Sequence, residues 1–267
     1  MKEKQIIPTN MDYVIQPNQI SRASYMMPIL QRRLIYLAMA QIRLDDTDLL
    51  SMEMSIGNVM CALNMEKSEK TYEEIRATIR GLMEQTFEIE DFQEWKVFHW
   101  LHNVVYDKKK DTIKIRLHND LKPYLLALKE VFTLIKINDI TKLQSKYALR
   151  IFELIMSRKE QKNKQGNWWY DTEFEHLRHL FKIEKNEYKL TNNFRRWVID
   201  NPVKEINQAE IGIHITPDYT SFRRGRKLLG VRLNCQLVQS KKNEKLINKK
   251  EKINKEKKDE YSTADKL

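Results

Sequence analysis

Within the stretch YKLTNNFRRWVIDNPVKEINQ, residues 188–208, two asparagines and two arginines fall within five positions: Asn192, Asn193, Arg195 and Arg196. These side chains suit the edges of nucleic-acid bases. An arginine fork matches guanine O6 and N7, and an asparagine amide matches adenine N6 and N7. The stretch reads as a helix, which puts the arginines near the positive end of the helix dipole, a mildly unfavourable place for a cation. Either the pair is ordinary surface, or an anion lies beyond the helix end. Lys189, just ahead, suits a phosphate. Further on, Arg223, Arg224, Arg226 and Lys227 place four cations in five residues of a turn. Such a cluster would follow a phosphate backbone or a minor groove. Taken singly, each cluster is an ordinary solvated feature. Together they need a fold that presents both to one duplex.

The elements around them supply such a fold. In the first half, apolar residues recur at helical spacing over 28–44 (Leu30, Leu34, Leu37 with Ala38, Ile42). Ser55 opens a short helix over 55–64. Thr71 with Glu74 forms a capping box for a helix over 71–85. Strands follow at 86–91, 95–107 and 112–118, the last alternating Ile113, Ile115 and Leu117 inward. A charged turn, 107–111, joins the final two, and a helix with Leu121, Leu125 and Leu128 closes the unit. The second half repeats the order: a helix capped at Ser145 over 145–161, a helix over 172–181 with Thr172 and Glu175 as capping box, the arginine helix over 191–207, and strands at 211–216 and 228–237 flanking the basic turn.

Three helices followed by a two-stranded ribbon is the winged-helix plan, in which the third helix enters the major groove and the ribbon touches neighbouring backbone. The chain is therefore expected to be α+β, with two tandem winged-helix domains in a pseudo-twofold relation. The expected divisions are a flexible N-terminus at 1–12, a first domain at 13–130, a second at 131–240 and a disordered Lys-rich tail at 241–267. In the second domain Asn192, Asn193, Arg195 and Arg196 would read bases, while Phe194, Trp197 and Val198 would pack inward. Lys146 and Arg150 are further candidates, on its opening helix. The first domain offers Arg76 and Arg80 on its third helix and Lys108 and Lys109 in its ribbon turn. Glu73, Glu74 and Glu84 dilute that charge, so a protein interface and DNA contact are both open there.

Charge agrees. The chain carries 48 Lys and Arg against 37 Asp and Glu, a formal +11. Ten lysines against six acids give the tail +4 of this, so residues 1–240 are basic in their own right. A polyanionic partner is implied. No run approaches the roughly 20 apolar residues of a membrane span, and residues 1–17 lack the apolar core of a secretory signal. Cys61 and Cys235 read as two reduced, packed thiols of a cytoplasmic protein.

Other chemistries find little support. The six glycines, at 57, 81, 166, 212, 225 and 230, build neither a P-loop nor a dinucleotide fingerprint. His99 and His102 lie three apart on an expected strand and face opposite sides. His176 and His179 could share a helix face, but no cluster nearby completes a metal site. No metal and no cofactor is expected. The aromatic run Trp168, Trp169 and Tyr170 could stack bases but reads better as a packed strand.

The chain resembles the iteron-binding plasmid replication initiators, the RepE/RepA class, over about residues 13–238. The resemblance rests on 14–42, on 132–155 with Ser145, Tyr147, Arg150 and Phe152 at pattern positions, and above all on YKLTNNFRRWVIDNPVKEIN followed by strand, basic turn and strand. It implies two winged-helix domains, monomers bound to directly repeated iterons, and dimers that bind an inverted repeat and repress their own gene. It implies melting of AT-rich DNA together with the host initiator, and loading of the host helicase, without nucleotide hydrolysis. Arg195 and Arg196 match the family's base-reading arginines, and Lys189 or Leu190 falls where it has a further basic contact. The first domain would be the usual dimerisation element. The rival readings are a dedicated winged-helix repressor, a metal-dependent nickase and a sequence-indifferent DNA-coating protein.

Overall fold

The computed structural model of the chain describes residues 13–42, 46–49, 51–90, 93–126, 132–225 and 227–238. The expected flexible segment 1–12, the tail 241–267, Leu128 and Arg226 lie outside the described residues.

The first half opens with strand β1 (Tyr13–Pro17), a short helix α1 (Asn18–Ser21) and helix α2 (Ile29–Met39). Leu34, Leu37 and Ala38 are fully buried, as their spacing implies. A short strand, β2 (Met52–Ser55), precedes α3 (Ile56–Ala62), where the Ser55 hydroxyl accepts the Asn58 amide at 3.0 Å. Helix α4 spans Glu69–Leu82 and starts earlier than its capping box suggests. Its N-cap is Ser68, whose hydroxyl accepts the Thr71 amide at 3.2 Å.

Strands β3 (Thr86–Glu90) and β4 (Trp95–His99) form a hairpin, and β5 (Leu101–Asp107) and β6 (Thr112–Leu117) form another. The single strand expected over 95–107 is thus two. The break falls at Trp100, which is buried against Phe87, with ring centroids 4.5 Å apart, and against Tyr25, at 5.3 Å. Burying that indole turns the chain from one ladder into the next. Leu121 and Leu125 are buried in a 3-10 turn and α5 (Lys122–Leu125).

The second half repeats the plan with β7 (Phe132–Lys136), α6 (Ile137–Lys142), α7 (Lys146–Met156), β8 (Asn167–Glu173) and α8 (Phe174–Leu180). A helical run over 191–208, here α9, is followed by β9 (Ile213–Asp218), the two-residue strands β10 (Arg223–Arg224) and β11 (Lys227–Leu228), and β12 (Gly230–Leu237). Ser145 caps α7 as expected, its hydroxyl accepting the Tyr147 amide at 3.2 Å. Thr172 does not cap α8. It lies in β8, paired with Val231, and the helix starts at Phe174.

Each half holds a three-stranded sheet rather than the expected ribbon: β2-β6-β5 in the first, β8-β12-β9 in the second. The hairpins β5–β6 and β9–β12 are the wings. Gly230 roots the second wing where backbones nearly touch. A Cβ there would stand 2.4 Å from the Thr172 carbonyl oxygen and 2.9 Å from Glu173 Cα. Gly230→Ala should therefore cost about 1–3 kcal/mol of stability, the usual penalty for forcing atoms into a packed site, readable by urea unfolding.

The halves are not separately cored. Their buried apolar residues form one cluster that runs from Val14 to Cys235. Strand β1 pairs antiparallel with β7, Tyr13 opposite Lys136 through Pro17 opposite Phe132. Between the halves lies the carboxylate of Glu153, on α7 and fully buried. It accepts from Arg32 Nε at 2.7 Å and from the Tyr25 hydroxyl at 2.5 Å, and also from Tyr36 and Arg150. The Arg32 guanidinium lies 4.3–5.0 Å from the ring centroids of Tyr25, Tyr36 and Trp100, so its remaining N–H groups sit among aromatic faces. Burial alone would raise the Glu153 pKa. The Arg32 and Arg150 charges outweigh it and hold the carboxyl below the usual glutamate range.

The cysteines differ from the expected pair. Cys235 is a buried core thiol pushed up to about 12 by desolvation, whereas Cys61 is exposed on α3.

Candidate nucleic-acid interface

Helix α9 is continuous but not uniform. It is α-helical at Thr191–Phe194, π-helical at Arg195–Asp200 and α-helical again at Asn201–Gln208. The wide turn has a cause in sequence. Pro202 has no N–H to give the Val198 carbonyl, and its ring crowds that carbonyl. The π-turn just before it absorbs the offset, so the backbone stays right-handed helical through both junctions. Phe194, Val198 and Ile199 face the core. Asn192, Asn193, Arg196 and Lys204 are exposed, as is Lys189 just ahead. The approach to α9 is fixed from α8: Arg178 donates to the carbonyls of Glu184, Glu187 and Tyr188, the last at 2.7 Å, and its guanidinium lies 4.7 Å from the Phe194 ring centroid.

Arg195 and Arg196 have different surroundings. Arg196 is exposed, its guanidinium 5.3 Å from the Trp197 ring centroid. Arg195 is half-buried, 3.9 Å from the ring centroid of Tyr219 at the base of the wing, and 3.8 Å from Asp200. The Tyr219 hydroxyl donates to Asp200 at 2.5 Å. Burial first, then the bond to Asp200, pushes the Tyr219 phenol above its ordinary range. The π-turn makes this possible, because residues five apart lie on different faces of an α-helix and come together over a π-turn. Arg195 thus ties α9 to the wing. Tyr219 gave no motif; its only sequence signal was an aromatic beside a basic cluster.

On the wing itself, Arg223 and Lys227 are exposed on β10 and β11, with Gly225 at φ 62° turning the tip between them. Arg224 pairs with Lys227 through its backbone.

The first half has a matching clamp. Arg76 on α4 donates to the Tyr106 hydroxyl at 3.1 Å and lies 4.9 Å from that ring's centroid, and the hydroxyl donates to Asp111 at 2.9 Å. Arg76 also pairs with Glu73 at 2.6 Å. Third helix and wing are joined by arginine, tyrosine and aspartate in both halves. Arg80 on α4 and Lys108 and Lys109 at the β5–β6 turn are exposed.

Sequence profiles place this geometry in a family. Residues 13–156 match the description "Initiator Replication protein, WH1", and residues 173–235 match "Initiator Rep protein, WH2". Together they span well over half the chain. The chain belongs to the initiator replication protein family. Among solved structures, its fold resembles a Pi initiator protein crystallised in complex with iteron DNA, with a TM-score of 0.70 at 13% identity, covering 90% of this chain and 100% of that one. It also resembles selenomethionine derivatives of domains 2 and 3 of RctB, with a TM-score of 0.52 at 11% identity, covering 80% and 84%. At these identities the likeness is one of fold: two winged-helix units in one chain.

Within this initiator several expected site residues change role. Arg150 is 2% exposed and spent internally, on Glu153 and on the carbonyls of Ser21 and Ala23. A buried guanidinium with those partners has no face for DNA. Lys146, one turn earlier, is exposed, its ammonium 5.2 Å from the Tyr147 ring centroid. Trp197, expected in the core, is 49% exposed, because the π-turn carries it outward while Val198 stays inside. Trp168 and Tyr170 pack inward, but Trp169 between them points out of the sheet. His99 ends β4 and His102 lies in β5, so they belong to different ladders. Among the described residues no group of three or more His, Cys, Asp or Glu is placed to hold a metal ion, and no helix is long and apolar enough to cross a membrane.

Proposed function

We propose that this initiator binds directly repeated duplex sequences, iterons, at a plasmid origin, and that α9 and the second wing make the specific contact. The observation that carries this is the exposure of Asn192, Asn193 and Arg196 on the leading turns of α9, beside the wing cations Arg223 and Lys227. This is where a winged helix meets base edges and backbone respectively. The π-turn divides the work: Arg195 holds the wing against the helix, and Arg196 is left to read bases. Lys189 and Lys146 add backbone contacts, and Arg80, Lys108 and Lys109 extend them from the first half. Bound to the repeats, the protein would melt adjacent AT-rich DNA with the host initiator and recruit the host helicase.

Replacing Arg223 and Lys227 by alanine should weaken specific and random duplexes alike and lower the salt dependence by about one unit of log–log slope per lost phosphate contact, as read by fluorescence anisotropy across a salt series. The decisive experiment is origin replacement. A plasmid carrying only this gene and its flanking repeats should replicate. Specific binding without replication would leave the chain a repressor.

The second copy of a dimer would meet the first half. Trp95 and Val97 on β4, with Val105 on β5, are about half exposed or more. An open apolar strand is a natural surface for association. The activity is read as non-enzymatic, and a defined nick in supercoiled origin DNA incubated with Mg²⁺ or Mn²⁺ would sink that.

A further inference from the structure

Trp197 is the one large apolar side chain on the outer face of α9 among the described residues. Phe194, Val198 and Ile199 turn inward, while Trp197 shares the outer face with Asn193, Arg196 and Lys204. A lone exposed tryptophan is unremarkable in itself. Its setting is not. The Arg196 guanidinium lies over the ring, and the surroundings are cationic. The core of a protein–protein interface is depleted of charge, so a protein partner fits poorly. Duplex DNA fits well, since its backbone answers the cations and its major groove offers one apolar group on a base edge, the thymine methyl.

We infer that Trp197 is a specificity-determining residue, covering the methyl group of a thymine in the base pair next to the guanine that Arg196 reads. Adjacent side chains on one helix face address adjacent base pairs. The ring also keeps Arg196 extended, because a guanidinium held over an indole has fewer orientations to lose on binding. This inference rests on α9 being the DNA-reading helix, as proposed above.

The test starts with the full-length protein and a random duplex pool. The enriched duplex is remade with each thymine replaced singly by deoxyuracil, which removes only the methyl group. Affinities of wild type, Trp197→Ala, Trp197→Leu and Arg196→Ala are read by anisotropy. Wild type should lose about fourfold at one position, the worth of one buried methyl. Trp197→Ala should bind the thymine duplex at least as weakly as wild type binds the uracil duplex, since it also releases Arg196, and should not distinguish the two. Trp197→Leu, still apolar, should keep part of the distinction, which separates loss of contact from loss of fold. Arg196→Ala should lose discrimination at the neighbouring guanine. Methyl sensitivity retained in Trp197→Ala, or absent at every position in wild type, overturns the inference while leaving the DNA-reading helix intact. A pool that yields no enriched sequence overturns both.

Discussion

Glu153→Ala should lower the stability of the whole chain by about 3–5 kcal/mol, because it strands two buried guanidinium groups without their counter-charge. For a chain of this size that is a fall in Tm on the order of 10 °C, measurable by calorimetry. Arg32 and Arg150 converge on Glu153 from different halves, and Tyr25 and Tyr36 lose their acceptor at the same stroke. Glu153→Gln, which keeps shape and some hydrogen bonds, should lose less. The sign of the pH dependence follows from the depressed Glu153 pKa. A carboxyl whose folded pKa lies below its unfolded value, ordinarily about 4.3, stabilises above that value and loses the contribution as pH falls through the folded one. Wild type should therefore destabilise on acidification below about pH 4 more steeply than Glu153→Gln. Equal slopes would remove Glu153 from the account.

Arg196→Ala should weaken binding to the preferred duplex by about 1–3 kcal/mol and change binding to random duplex much less, since a bidentate base contact carries sequence information. Arg195→Ala should behave otherwise. It releases Tyr219 and Asp200, loosens the wing from α9, and weakens both kinds of duplex with a measurable loss of folding stability. Competition binding paired with thermal melting distinguishes the two. If Arg195→Ala alters sequence preference without altering stability, the division of labour between the neighbours is wrong.

Most of this architecture was legible in residue spacing. The helix faces of Leu34, Leu37 and Ala38, the alternation of Ile113, Ile115 and Leu117, and the Ser55 and Ser145 caps are local signals, and local signals survive in a single sequence. What was hidden depends on partners distant in the chain. Thr172 carries a capping signature but is held in β8 by its pairing with Val231. Trp100 splits an apparent strand because Phe87 and Tyr25 close over it. Arg150 looks like surface beside Lys146 until Glu153, three residues on, is seen to need it. Trp197 reads as core at ordinary helical spacing, and only the extra residue in the π-turn ahead of Pro202 rotates it out. The basic clusters were visible as clusters; that Arg195 faces the wing and Arg196 faces away required the backbone.

The Glu153 junction also sets a timetable for synthesis. Arg32 leaves the ribosome 121 residues ahead of the glutamate that neutralises it. At 5–20 residues per second that is a wait of about 6–24 s. For most of that interval β1 has no strand to pair with, since β7 is still to come. The nascent first half must hold an open strand edge until β7 emerges and an unneutralised guanidinium until α7 follows. Slowed elongation between these points would lengthen the chain's exposure to chaperones and proteases, without any change in the finished protein.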